Sequence, residues 1–285
     1  MKRPLYELDR VDTTWHPIDR ATHRVICDDH YDTLITRPSA VYCDGALAAV
    51  YLPEGDFPAD QLSAIFDSLE RVPFGHDPQG RTASGGQAGG LATASRIFGW
   101  MPRRAIRHDF CHVATMARTH PMLHEQLCAL GQHASDLYEY YVPDIWRAHS
   151  DYVSNTLYPQ HLVSGVYTGG IVNKDSTLGG HVDGGNVRNT WNSQLTIKKG
   201  VEGGFLALPE LRVALEVADG SFALFGAQSV WHGVTPVLHT QVGAVRYSMV
   251  WYALAMLKNC LPPEGELQRI QRKKTEREWK RAGLA

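Results

Sequence analysis

Residues 179–191 read GGHVDGGNVRNTW and place His181 and Asp183 two positions apart between pairs of glycines. Side chains two apart in extended backbone share a face, so one imidazole and one carboxylate can reach a single metal ion. An HxD pair also arises by accident in polar loops. A second histidine, His232, follows 49 residues after Asp183, in FGAQSVWHGVTP at the end of an apolar run. Two histidines and one carboxylate on one face of iron leave positions open for a cosubstrate and dioxygen, as non-haem Fe(II) oxygenases require. The plainer reading of His232, beside Trp231, is a satisfied core or surface histidine.

Fourteen residues beyond His232, RYSMVWY opens an otherwise apolar strand with Arg246. A charge there is costly unless it meets a carboxylate, and a guanidinium matches a carboxylate with two parallel hydrogen bonds. The carboxylate is that of a ligand or of a protein acid. Ser248, two along and on the same face, adds a hydroxyl donor.

Composition sets the frame for these residues. The chain has 285 residues, 44% hydrophobic and 20% charged, with a formal net charge of −2. This describes an ordinary globular protein with no global electrostatic preference for nucleic acid, so any anion-binding surface must be local. The N-terminus MKRPLYELDR lacks a signal-peptide run, and no stretch nears the roughly 18 apolar residues of a membrane span. An intracellular, cytoplasmic location without membrane contact is therefore expected. Five scattered cysteines (Cys27, Cys43, Cys111, Cys128, Cys260), never spaced CxxC, suggest neither a disulfide framework nor a structural zinc site. Reduced thiols are the simplest expectation.

The elements that must position the site run helices first, strands later. In FPADQLSAIFDSLERVP, Leu62, Ile65, Phe66 and Leu69 fall at helical spacing before Pro73. A second helix is predicted from Pro121, with Leu123, Leu127, Leu130, Leu137 and Tyr141 on one side. From about residue 162 come short β-rich runs at roughly ten-residue spacing, which suggest an antiparallel sandwich or barrel with its site in the mouth. The expected class is α+β: a single domain, 1–285, with a helical and loop-rich N-terminal portion (1–160), a jelly-roll catalytic core (161–258) and a basic tail (259–285).

Between the helices, residues 81–108 carry Arg81, Arg96, Arg103, Arg104 and Arg107 without one acid, together with Phe98 and Trp100. This is either a solvated loop or a surface that contacts phosphates and stacks bases. The tail, with seven basic residues against four acids over 264–281, reads as a solvated terminal helix, with nucleic-acid contact the alternative.

Together, HxD, a distal histidine and Arg-x-Ser resemble the Fe(II)- and 2-oxoglutarate-dependent dioxygenases. More narrowly, HVDGGNVRNTW, with Asn three places after Asp, is similar to the metal-binding stretch of the TET/JBP group, which oxidises the 5-methyl group of pyrimidines in DNA. GGFLALPEL, leading to the distal histidine, and RYSMVWY resemble the strands that follow in that group, so the likeness spans residues 165–255. It implies a double-stranded β-helix (jelly roll) buttressed by N-terminal helices. It also implies Fe(II) held by His181, Asp183 and His232, 2-oxoglutarate held by Arg246 and Ser248, and dioxygen as oxidant. Asn186 would hydrogen-bond a flipped base and Tyr252 would stack on it; the plainer roles are a turn-capping Asn186 and a core Tyr252. Arg96, Arg103 and Arg104 would contact the DNA containing the 5-methylpyrimidine.

Two departures from the group bear on substrate. Leu254 stands where animal TET enzymes carry a base-contacting histidine, and no cysteine-rich zinc module precedes the core. The chain therefore looks more like stand-alone phage or microbial members, with 5-methylcytosine favoured as substrate and thymine possible. Rival readings are an oxygenase acting on a protein side chain or small molecule, and a non-catalytic jelly-roll binding module.

Overall fold

The computed structural model describes residues 6–20, 26–74, 94–103 and 110–281. Contrary to the helices-first expectation, the N-terminal portion opens with strands: β1 (Asp9–Thr13), β2 (Thr33–Ile35), β3 (Ser39–Cys43) and β4 (Ala46–Leu52). The β3–β4 turn is Asp44-Gly45, both at positive φ (48° and 82°), which is the two-residue hairpin that a right-handed strand twist favours. Helix α1 (Ala59–Glu70) follows, then β5 (Ala94–Met101), β6 (His112–Val113), α2 (Met116–Thr119), α3 (Pro121–Tyr141) and α4 (Pro143–Thr156). Helices α1 and α3 lie where apolar spacing places them, and proline opens both α3 and α4, where its missing N–H costs nothing.

The remaining strands are β7 (Gly169–Lys174), β8 (Leu178–His181), β9 (Asn192–Lys199), β10 (Val201–Gly203), β11 (Leu206–Leu208), β12 (Val213–Leu215), β13 (Phe222–Phe225), β14 (His232–Val234), β15 (Val237–His239) and β16 (Val245–Tyr252). A nine-stranded sheet runs β1-β3-β4-β13-β9-β16-β7-β5-β6, and a five-stranded sheet runs β2-β12-β11-β14-β8. The tail forms α5 (Pro263–Arg281), mostly exposed.

Strand alternation sorts the large sheet into two faces. On β16, Tyr247, Met249 and Trp251 join the helices in one core, and the Trp251 indole N–H donates to the Leu127 carbonyl of α3 at 3.0 Å. On the other face, Ala49, Tyr51, Ala223 and Phe225 pack with Leu206, Leu208, Val213 and Leu215 of the small sheet. Arg246 and Ser248 point to this second, inter-sheet side. N-terminal strands are thus built into both sheets of the sandwich, because β4 pairs with β13 and β2 with β12.

The cysteine expectation is corrected by Cys111 and Cys260, which form a disulfide across 149 residues. Their separation in sequence hides a proximity created by docking the β16–α5 connection against the start of β6. Cys27, Cys43 and Cys128 are free.

Candidate metal and cosubstrate site

His181 ends β8 and His232 begins β14, and the two are direct partners across this antiparallel pair. Their ring centroids lie 4.3 Å apart. Phe225, from the large sheet, meets His232 edge-on at 4.9 Å, so both imidazoles occupy the inter-sheet space. Asp183, two residues past His181, brings Oδ1 to 3.6 Å from His181 Nε2. One ligand atom from each of the three residues lies within 4.8 Å of the others.

The tautomers are set by backbone carbonyls. His181 Nδ1–H donates to Gly179 O at 2.8 Å and His232 Nδ1–H to Val230 O at 2.9 Å. Each Nε2 therefore carries a lone pair toward the third ligand, an arrangement common to histidines that bind metals. Burial, followed by the neighbouring His181, pushes the pKa of His232 down to about 4, with Asp183 opposing. His232 is neutral at pH 7 and fit to coordinate.

Arg246 lies fully buried on β16, opposite Lys198 of β9. Among the described residues, its Nε, Nη1 and Nη2 have no hydrogen-bond partner. Gly204 makes room for it: a Cβ there would sit 3.2 Å from Arg246 Cδ and Nε. Ser248 is buried between Thr196 of β9 and Asn173 of β7. Three orphaned nitrogens on a fully buried guanidinium fit the carboxylate of a ligand.

Asn186 and Tyr252 occupy the same neighbourhood. Asn186 is buried and bridges to Leu254; its amide Nδ2–H donates to Asn192 Oδ1 at 2.9 Å. Tyr252 is buried at the end of β16, one place beyond the Trp251–Ser193 pair, on the side shared with Arg246. Asn192, which sequence reading passed over, also donates to Asp183 Oδ2 at 2.8 Å. Only its place in the run NTWN was available to suggest this.

Of the three arginines expected to contact DNA, the structure describes Arg96 and Arg103. Arg96 is opposite Val172, a core residue on the helix side; its guanidinium bonds the carbonyls of Pro73 and Ser95 and lies over Phe74. Arg103 is held by the buried carboxylate of Glu266 and by Asn259 O. Phe98, expected to stack bases, is fully buried, edge-on to Trp251. Arg81, Arg104 and Arg107 lie outside the described residues.

A second grouping, Cys27, Asp29 and His30, is occupied internally. The Cys27 N–H donates to His30 Nδ1 at 3.0 Å, and the hydrogen bond to Asp29, with burial, raises the Cys27 thiol to about 11. This local cap explains the grouping without a metal.

No protein-family profile and no curated sequence matches the chain. Solved structures do. NgTET1 in complex with 5mC DNA aligns over 86% of this chain and 88% of its own, with TM-score 0.57 and 13% identity. A 2OG-Fe(II) oxygenase family oxidoreductase from Burkholderia pseudomallei aligns over 73% and 88%, with TM-score 0.41 and 16% identity. OsALKBH1 aligns over 77% and 98%, with TM-score 0.40 and 13% identity. The chain shares the double-stranded β-helix fold of NgTET1.

Proposed function

We propose that this chain is an Fe(II)- and 2-oxoglutarate-dependent dioxygenase that hydroxylates the 5-methyl group of a pyrimidine in DNA, 5-methylcytosine ahead of thymine. The observation that carries the oxygenase reading is Arg246, a fully buried guanidinium with three unpartnered nitrogens in the sandwich whose other sheet presents His181 and His232.

His181 Nε2, His232 Nε2 and Asp183 Oδ1 would hold the metal. Arg246, aided by Ser248, would anchor the distal carboxylate of the cosubstrate and so fix its orientation. Bound Fe(II) and 2-oxoglutarate would supply the oxidising chemistry that puts one atom of dioxygen into a C–H bond, leaving succinate and carbon dioxide. The apolar inter-sheet layer around Phe225 covers His232, while His181 and Asp183 stay partly exposed on the side where a substrate would enter.

Support for the substrate comes from the HVDGGNVRNTW resemblance, from the fold likeness to NgTET1, whose structure holds 5mC DNA, and from Asn186, which is tied to Asp183 through Asn192. A base in duplex DNA reaches such a site by flipping, at a cost of a few kcal/mol. With Arg96 and Arg103 engaged inside the protein, exposed Arg188, two residues after Asn186, is the described cation best placed for phosphate. Arg188→Glu should weaken oligonucleotide binding at low salt and leave 2-oxoglutarate binding intact; unchanged DNA affinity removes that role.

The deciding experiment is mass spectrometry of nucleosides from DNA containing 5-methylcytosine and thymine, after incubation with protein, Fe(II), 2-oxoglutarate and ascorbate, beside a His181→Ala control. A 5-hydroxymethyl base absent from the control supports the proposal. Succinate formed without an oxidised base would transfer the site to a protein side chain or small molecule, a reading favoured by the inward pairing of Arg96 and Arg103.

A further inference from the structure

The two carboxylate oxygens of Asp183 have different surroundings. Oδ1 faces His181, while Oδ2 accepts the Asn192 Nδ2–H at 2.8 Å. Asn192 sits on β9, 2% exposed, and its Oδ1 accepts the Asn186 Nδ2–H at 2.9 Å. The direction of this chain is forced. An ionised carboxylate only accepts, so Asn192 must turn its amide nitrogen to Asp183 and its oxygen to Asn186, and Asn186 must then donate. One buried side chain thereby fixes both the carboxylate of the metal triad and the amide of Asn186.

β9 holds Asn192 rigidly. The strand is paired on both sides, with Asn192 opposite Phe225 of β13 and neighbouring Ser193 opposite Trp251 of β16. Asp183 is fixed at its backbone as well, where its N–H donates to Ala227 O at 2.8 Å. Its carboxylate, by contrast, sits on a loop between glycines and would rotate about χ2 or turn both oxygens to a cation without the Asn192 contact.

We propose that Asn192 is a positioning residue that presents Asp183 to the metal through Oδ1 alone and ties the orientation of that ligand to the orientation of Asn186. This rests on the reading of His181, Asp183 and His232 as a metal site and of Asn186 as a substrate contact. Anything that reorients the Asn186 amide must disturb Asn192 and, through it, Asp183. Metal binding and occupancy at Asn186 are therefore coupled, and the coupling is reciprocal.

The test uses Ni(II), which is redox-inert here, titrated calorimetrically into metal-free full-length protein, with the urea unfolding midpoint and the Co(II) absorption spectrum recorded for each variant. Asn192→Ala should weaken Ni(II) binding by about 10- to 100-fold, the usual loss when a partner of a metal ligand is removed, and should shift the Co(II) bands. Asn192→Leu, which preserves volume, should do the same if the alanine variant does not fold. Asn186→Ala removes the partner that orients Asn192 and should weaken Ni(II) binding in the same direction as Asn192→Ala but by less, because the Asn192–Asp183 bond remains; an unchanged Ni(II) affinity in this variant would overturn the coupling to Asn186. Asn192 variants that lose stability yet bind Ni(II) within twofold of the parent, with an unchanged Co(II) spectrum, would overturn the proposal and leave Asn192 a core residue. His181→Ala separates the two levels of argument: its failure to reduce Ni(II) binding would refute the metal site itself, and the positioning role with it.

Discussion

Asp175 accepts the backbone N–H of Arg246 at 2.7 Å and leaves that residue's guanidinium alone. The acid best placed to neutralise the buried charge is spent on the main chain and on His239, 3.3 Å away. Its field still reaches the guanidinium and partly opposes the burial that lowers Arg246 to about 10. Arg246 therefore stays charged at pH 7 without a hydrogen-bonded partner among the described residues.

Such a charge weakens the ligand-free protein. Arg246→Met should leave its stability equal or raised by about 1–4 kcal/mol, as when buried charges give way to apolar side chains of similar volume. The same variant should lose the stabilisation that 2-oxoglutarate confers, with affinity down by about 100-fold or more. Urea unfolding with and without 2-oxoglutarate reads both effects. A loss of several kcal/mol in the ligand-free state, with the 2-oxoglutarate effect retained, would make Arg246 structural.

The metal triad makes a parallel demand. Metal-free protein supplied with Ni(II) at about 100 times its Kd should gain about 2.7 kcal/mol against unfolding, and EDTA should remove the gain. In His232→Ala the gain should vanish, since one of three protein ligands is gone. Retention of metal-dependent stabilisation in that variant would place the ion elsewhere.

Much of this site was legible because its residues recur at the periods that strands impose. His181 and Asp183 at i and i+2, and Arg246 and Ser248 likewise, need only extended backbone to share a face. The strands before α1 were legible too: SAVYC and ALAAVYL flank Asp44-Gly45, a hairpin signal that the helical stretches further on overshadowed. Other features depend on tertiary contact. Nothing in RTASGGQAGGLATASRIFGWMPRR says that Arg96 lies against Pro73 or that Arg103 awaits a glutamate 163 residues away. The Cys111–Cys260 bond and the Asn192 contact to Asp183 likewise exist only after the sheets close.

Arg103 and Glu266 make a stability prediction in place of a DNA-binding one. Burial raises the Glu266 carboxyl, but hydrogen bonds from Arg103 and from the N–H groups of Leu261 and Cys111 outweigh it and bring the pKa below its ordinary value. Arg103→Ala leaves that carboxylate with two backbone donors and without the Arg103 charge, at a cost of about 2–4 kcal/mol. The contribution is full above the unfolded glutamate value near ~4.3 and is lost as pH falls through the lower folded value. Urea midpoints at pH 7 and pH 3.5 should therefore differ between parent and variant chiefly at pH 7. Unchanged stability alongside weakened DNA affinity would restore the phosphate role.

His149, on α4, is fully buried, and neither ring nitrogen has a hydrogen-bond partner among the described residues. The rings of Tyr138 and Tyr167 flank it at 6.0 and 6.3 Å. Burial alone pushes its pKa down to about 3, whereas in the unfolded chain it titrates near ~6.5. A depressed folded pKa means that the unfolded state takes up the proton first, so stability is intact above about pH 6.5 and declines steadily below it. At pH 5 the chain should be about 2 kcal/mol less stable on account of this one residue. His149→Phe keeps a ring between the two tyrosines and removes the titration, so the drop in urea midpoint from pH 7 to pH 5 should shrink by that amount. His161, also buried with its pKa lowered chiefly by burial, would maintain part of the slope in both proteins and cancels in the comparison. An equal drop in parent and variant would show that His149 reaches solvent or a partner before the protein unfolds.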